Sequence, residues 1–278
     1  MATLPFLFAA SLNGTLLPNS GKPSPEGCLR RTSGLLNRLR SQKIPVVYVT
    51  ERVYETASAS VAQFGLPAPN YWLCNAGTEI RMADGGCDPI WEQWLGPEFD
   101  AEILVALLGG VDGLVILDRH LPGPHRFTLK ISGQLSETWL NRAEIALAGY
   151  RNGLRITTYF DADLSVTRLE VLPEAAGRLQ GLDFLAQRHA LPRRRVFYAD
   201  DGDQYLLTSG VLGVLVGNGS PAIRVQLRQA ANESLCLADG FFGDGVLDGL
   251  RHHDLWPMCP GDFSEDRGSI HVETLFQI

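Results

Sequence analysis

The chain has 278 residues, 45% of them hydrophobic and 20% charged, with a formal net charge of −7. That length and apolar share are enough for a large buried core divided between two domains. The acidic balance and the lack of any long Lys/Arg run exclude a nucleic-acid footprint. The densest basic cluster, Arg193-Arg194-Arg195, stands just before an apolar run and reads as a solvated loop. There is no charged-then-apolar leader and no apolar run of bilayer length, so no membrane partner is expected. Five cysteines (Cys28, Cys74, Cys87, Cys236 and Cys259) show neither pairing nor metal spacing. Their odd number points to reduced thiols and a cytoplasmic setting.

In chain order, the first informative stretch is Leu4 to Leu17, LPFLFAASLNGTLL. Phe6 to Ala10 form a short apolar run ended by turn residues, the pattern of a central parallel strand covered on both faces. Ligands in open α/β sheets bind beyond the carboxyl ends of such strands. Ser11, Leu12, Asn13, Gly14 and Thr15 therefore fall where a site belongs. Asn19 to Gly27, rich in Pro, Gly and Ser, reads as a loop. Cys28 to Gln42 places Leu29, Leu35, Leu36 and Leu39 at helical spacing. Val46 to Val49 is a second strand, ending at Thr50. Glu51 to Phe64 reads as a helix closed by Gly65-Leu66-Pro67, and Tyr71 to Ile80 as a strand-turn-strand.

From Met82 to Ser165 the character changes, and aromatics rise (Trp91, Trp94, Phe99, Trp139, Tyr150, Tyr159, Phe160). Alternating strands at Arg126 to Ser132 and Leu154 to Phe160, with amphipathic helices at Asp100 to Leu108 and Glu137 to Ala148, predict an inserted α+β domain over residues 82–165. Arg168 to Pro173 returns to the first style. Glu174 to His189 reads as a helix, Arg195 to Asp200 as a buried strand with acid at its end, and Val211 to Gly217 as another strand. Pro221 to Ala231 and Asp244 to His253 close the pattern as helices. The alternation on both sides of the insert predicts an α/β fold, a Rossmann-like doubly wound parallel sheet built from residues 1–81 and 166–255. Residues 256–278 carry no periodic signal and read as a tail, with His271 to Ile278 as an optional extra strand.

Four strand ends would then converge on one edge: Ser11 with Asn13, Thr50, Arg178 at its helix, and Asp200. Ser11-Leu12-Asn13-Gly14-Thr15 resembles the first motif of haloacid dehalogenase-type phosphatases, where the strand ends in Asp-x-Asp-Gly-Thr. Both carboxylates are replaced. Thr50 stands where that family has a phosphate-binding Ser or Thr, a place equally suited to a helix cap. Arg178 stands where the family has a Lys that neutralises phosphate, and Arg can grip phosphate with two bonds. Asp200-Asp201-Gly202-Asp203-Gln204 is similar to the family's metal motif, Gly-Asp-x-Gly-Asn-Asp, with Gln204 in place of the second Asp.

An ordered series over residues 4–253 resembles the sucrose-phosphate phosphatase branch. It includes Gly65-Leu66-Pro67-Ala68-Pro69, Ala76-Gly77-Thr78-Glu79-Ile80, Phe127-Thr128-Leu129-Lys130-Ile131-Ser132, Leu169-Glu170-Val171-Leu172-Pro173 and Val214-Leu215-Val216-Gly217-Asn218. The resemblance implies a Rossmann-like core with a mobile α+β cap that grips a sugar. It implies phosphate contacts from Thr50, Arg178, Gly14 and Thr15, and sugar contacts from Asn75, Glu79, Lys130 and Ser132. It also implies Mg2+ at Asp200, with help from Asp201 and Asp203, at a weakened site.

In the family the first Asp attacks phosphorus and the second serves as acid and base. Ser11 is a poor nucleophile without a neighbouring base, and Asn13 cannot exchange a proton at any working pH. The leading expectation is a catalytically impaired member that binds a sugar phosphate such as sucrose 6-phosphate, or a sucrose-phosphate synthase, with no metal required. Two alternatives stand beside it: an active sugar-phosphate phosphatase using Asp200 or Asp203, and an interaction scaffold with an empty cleft.

Overall fold

The computed structural model describes residues 5–18, 24–110, 115–150, 153–161, 164–203, 207–230 and 232–256. The first part of the chain runs β1 (Leu7–Ser11), α1 (Cys28–Ser41), β2 (Val46–Val49), α2 (Tyr54–Gln63), β3 (Tyr71–Cys74) and β4 (Glu79–Met82). Then come α3 (Pro89–Leu95), α4 (Ala101–Gly109), β5 (Ile116–Gly123), β6 (Arg126–Ser132), α5 (Glu137–Tyr150), β7 (Leu154–Asp161) and β8 (Val166–Pro173). The last part runs α6 (Arg178–Arg188), β9 (Val196–Asp200), β10 (Leu212–Leu215), α7 (Pro221–Gln229), β11 (Leu235–Leu237) and α8 (Gly243–His252).

Seven strands form one sheet in the order β11-β10-β9-β1-β2-β3-β4. Six run parallel, and β4 turns back antiparallel on β3. The apolar LFAAS of β1 is explained by its place between β2 and β9, with a core on each face. Phe8 and Ala10 face a cluster that includes Leu36 of α1 and Leu250 of α8. Leu7 and Ala9 face a cluster that includes Leu182 of α6 and Trp91 of α3. Phe8 stacks on Phe197 of β9 at 5.4 Å between ring centroids. Truncating such a buried ring costs about 3–5 kcal/mol. The strand order reverses between β1 and β9, with β2 and β3 on one side and β10 and β11 on the other, so the carboxyl ends of β1, β2 and β9 open on one crevice.

The second sheet, β5-β6-β8-β7, is antiparallel. One face carries Phe127, Leu129, Ile131, Leu169 and Val171 onto Leu104 of α4 and Trp139 of α5. The other face presents Arg126, Thr128 and Glu170 toward the larger sheet.

The structure departs from the sequence reading at four places. Strand β8 was expected to open the return to the core at residue 166, yet it pairs with β6 and β7 in the smaller sheet. Its alternating burial suits a half-covered sheet. Helix α3 falls inside the expected insert but buries Trp91 and Leu95 in the core of the larger sheet. Helix α6 starts at Arg178 rather than Glu174, because Gly177 precedes it at φ 144°, a conformation that breaks the helix. Trp256, assigned to the tail, packs in the core under the Arg38 guanidinium, 4.8 Å from its ring centroid. Residues 257–278, including the optional strand at His271 to Ile278, lie outside the described residues, as does Cys259. Cys28, Cys74, Cys87 and Cys236 are free thiols. No described helix is long and apolar enough to cross a membrane.

Candidate functional site

A cleft of about 450 Å3 opens at the carboxyl ends of β1, β2 and β9. Ser11, Asn13, Thr50, Glu51, Arg52, Arg178 and the turn Asp200 to Asp203 line it. The register explains the meeting. Ala10 pairs with Ala199 and Ser11 with Val49, so Ser11 lies level with Asp200 on one side and just before Thr50 on the other.

The β1 side is chemically bare. No hydrogen bond joins the Ser11 hydroxyl or the Asn13 amide to another described residue. Gly14, at φ 78°, closes the turn by donating to the Leu17 carbonyl, and its own carbonyl accepts from Asn218. Thr15 is fully buried, its hydroxyl has no partner among the described residues, and it does not line the cleft. Thr50 does line it, and its Oγ1 accepts from the Arg52 amide at 3.2 Å.

The opposite side is a charge network. Asp200 is 3% exposed. Its Oδ1 accepts from the amides of Gly202 and Asp203 at 2.6 Å each, and its Oδ2 from the Tyr198 hydroxyl at 2.6 Å. Tyr198 is two residues before Asp200 and so on the same strand face. Burial, reinforced by Asp200, raises the Tyr198 pKa well above its ordinary value, so the phenol keeps its proton and donates. Arg178 reaches Asp203 at 3.1 Å and Glu51 at 3.5 Å. Burial opposes its charge, but the carboxylates of Asp203, Glu51 and Asp200 together outweigh burial and raise its pKa. The cleft lining thus sets two arginines against four carboxylates.

Arg178 is held in place by two hinge glycines. A Cβ on Gly77, which sits at φ 82°, would lie 2.2 Å from the Gly177 carbonyl carbon. Only glycine permits this crossing, and it seats the first turn of α6 against the turn after β3.

A second space of about 310 Å3 continues the cleft under the smaller sheet. It shares Glu51, Arg178 and Asp203 with the cleft and adds Arg155, Thr157, Glu170 and Gln180. Arg126 closes its edge. It donates to the Glu51 carbonyl at 2.9 Å and the Asn75 side chain at 3.0 Å, and it pairs with Glu170. The Glu51 carboxylate bridges the two halves, one oxygen 3.5 Å from Arg178 and the other 3.7 Å from Arg126.

Several expected contacts lie elsewhere. Asn75 is buried at the joint between the halves, bonded to Arg126 and to the Pro122 carbonyl. Glu79 is paired with Arg81 on its own strand. Lys130 is exposed and lies 3.7 Å from Asp118. It stands opposite Arg168, one row out from the Thr128–Glu170 pair, about 13 Å along β6 from Arg126. Ser132 is farther still. The sequence reading missed Glu51, Tyr198, Arg126, Arg155, Thr157 and Glu170. Glu51 adjoins Thr50, and Tyr198 shares the face of Asp200, so both had a sequence signal. Which end of β6 approaches the larger sheet had none.

Mg2+ wants a near-octahedral set of hard oxygens, normally with one or two carboxylates free to bind it. Here Asp200 accepts three protein donors, Asp203 holds Arg178, and among the described residues no three acids, cysteines or histidines cluster to hold a metal. The donor set as folded does not fit the ion. Gln204, in the same motif, lies outside the described residues.

A parallel sheet covered by helices, a four-stranded cap and a cleft at the strand ends define the class: capped haloacid dehalogenase-type hydrolases. Within that class, the chain belongs to the sucrose-6F-phosphate phosphohydrolase family, whose profile matches residues 4–254. It is 26% identical over 270 residues to a Nitrosococcus oceani protein named as a HAD-like hydrolase, covering 88% of this chain and 71% of that one. Its fold is similar to a sucrose-phosphatase of Synechocystis sp. PCC6803 solved with sucrose and phosphate. That match has 21% identity and a TM-score of 0.68 and covers 90% of this chain and 99% of the other. A haloacid dehalogenase-like hydrolase of Bacillus subtilis is 15% identical with a TM-score of 0.67, covering 92% and 94%.

Proposed function

We propose that this chain is a non-hydrolysing member of its family that holds a sugar phosphate, with the ester's phosphate at Arg178 and Thr50 and its sugar in the adjoining space under the cap. One observation carries the reading: the β1 side of the cleft offers only Ser11 and Asn13, neither of them hydrogen-bonded to a base. An uncharged hydroxyl attacks phosphorus poorly unless a base takes its proton. The carboxylate level with Ser11 is Asp200, whose two oxygens already accept three donors. Removing a general acid-base group alone costs on the order of 100- to 10,000-fold in rate. Binding chemistry survives. Arg178 presents a fixed positive charge with a fork geometry suited to phosphate oxygens. Arg155, Thr157, Glu170 and Gln180 present donors and acceptors for hydroxyls next to it.

In this reading the phosphate competes with Glu51 for the Arg178 guanidinium. Sucrose 6-phosphate is expected to raise the melting temperature with no inorganic phosphate released. Release at enzymatic rates by the unaltered chain would make it a working hydrolase. Absence of any shift, with a sucrose-phosphate synthase co-purifying, would make it a scaffold.

A further inference from the structure

Helix α6 carries two stripes. Leu179, Leu182, Leu185 and Ala186 are buried under the larger sheet. Gln180, Phe184 and Gln187, at spacings of four and three, share a different face and border a pocket of about 570 Å3. Helix α3 supplies the facing wall through Trp91 and Trp94. The pocket shares no lining residue with the cleft, and only Gln180 with the space that continues the cleft. Its volume lies within the roughly 300–1,000 Å3 usual for small-molecule sites. The walls are fixed to one another: Asp88 caps α3 by accepting from Ile90 and Trp91 amides, and it pairs with Arg188 of α6.

Three rings meet at this pocket. Trp91 and Phe184 lie 5.1 Å apart at 52°, and Trp94 and Phe184 6.4 Å apart at 67°. Trp94 is 61% exposed, high for so large an apolar ring. Trp91 is 1% exposed, and its indole N–H has no partner among the described residues. The polar groups beside the rings are the Gln180 and Gln187 amides and the Glu174 carboxylate. None of the three is hydrogen-bonded to another described side chain or backbone group. Asp183 is engaged by the Arg193 guanidinium through two bonds.

This mixture selects a ligand class. Among the described residues no Arg or Lys lines the pocket, which disfavours an anion. A cation held by aromatic faces would gain from an excess of carboxylates, whereas Glu174 is the single carboxylate not already paired with an arginine. A pyranose ring fits both halves of the lining. Its C–H face stacks on an aromatic ring, and its hydroxyls bond to amides and to a carboxylate. We propose that this pocket is a saccharide-binding site separate from the cleft, with Trp94 as the stacking surface and Gln187 and Glu174 as hydroxyl partners. The proposal does not depend on the reading of the cleft.

The test titrates sucrose, maltose and methyl α-glucoside into the full chain by calorimetry and saturation-transfer NMR, with choline as the cation probe. At least one sugar is expected to bind saturably. Trp94→Ala, which removes an exposed ring, is expected to weaken that binding about tenfold, the loss of one stacking contact. Gln187→Ala, also exposed, is expected to weaken it severalfold, while Arg178→Ala in the cleft leaves it unchanged. The proposal is overturned if none of the sugars binds, if choline binds in their place, or if Trp94→Ala and Gln187→Ala both bind as tightly as the unaltered chain. Loss of the binding in Arg178→Ala would also overturn it, by returning the sugar to the cleft.

Discussion

At the end of β1 the cleft presents Ser11 and Asn13, whose neutral side chains make no hydrogen bond to another described residue. Across from them, β9 and α6 present Asp200, Asp203 and Arg178, every one engaged with a neighbour. In the proposed reading the first side would have to carry attack on phosphorus, and it presents no charge. The second would hold the ester's phosphate, and it presents charge of both signs. Arg178 sits among Asp203, Glu51 and Asp200 as a cation of the site. Attack chemistry and anion recognition are therefore separable, because they rest on different strands with different supports.

The supports of the charged side can be broken first. Gly77→Ala forces a Cβ into the Gly177 backbone at a positive φ. A loss of roughly 3 kcal/mol is expected in urea unfolding, from overpacking and backbone strain together. An unchanged urea midpoint would show that the crossing yields. Arg178→Ala removes the charged donor and should weaken phosphate-ester binding by about 1.5–3 kcal/mol, roughly ten- to a hundredfold, read by calorimetry. Arg178→Lys should recover part of the loss. Equal binding in both variants would move the phosphate elsewhere.

Glu51→Gln acts in the opposite direction. It frees Arg178 and Arg126 of a competing carboxylate, so phosphate should bind severalfold more tightly. The gain stays below about 1 kcal/mol because the Glu51 side chain is 52% exposed and screened. Weaker binding in this variant would make Glu51 a ligand contact instead of a competitor.

The smallest effect concerns pH, away from the cleft. Burial holds His253 and His189 below the usual histidine value. Arg188 adds to this for His189, and the Gly213 carbonyl partly offsets it for His253. The unfolded chain takes up these protons near pH ~6.5, and the folded chain only at lower pH. Stability is thus full above about 6.5 and falls as the pH drops through the depressed values. His253→Gln should flatten part of that fall in urea midpoints measured across the range.

Much of the core was legible because its strands are covered on both faces. The apolar runs at β1, β2 and β9 need no knowledge of their partners, and the strand-end rule brings Ser11, Thr50 and Asp200 to one crevice. Strand β8 was harder. Its alternation, with Leu169 and Val171 in and Arg168 out, says that one face is wet, not which sheet it joins. Arg178 could be placed from the motif order, but the helix start, four residues after the expected Glu174, depends on the φ of Gly177. Asn75, Glu79, Lys130 and Ser132 are polar residues near cap motifs. Their partners, Arg126, Arg81 and Asp118, come from strand pairing and strand direction, which one sequence does not encode locally.

The most direct measurement is phosphate release from sucrose 6-phosphate with Mg2+, comparing the unaltered chain with the Ser11→Asp, Asn13→Asp, Gln204→Asp triple variant. The account predicts background release from the unaltered chain and a gain of about 100-fold or more in the variant, the scale of a restored acid-base group. Release by the unaltered chain at a rate matching the variant would contradict it.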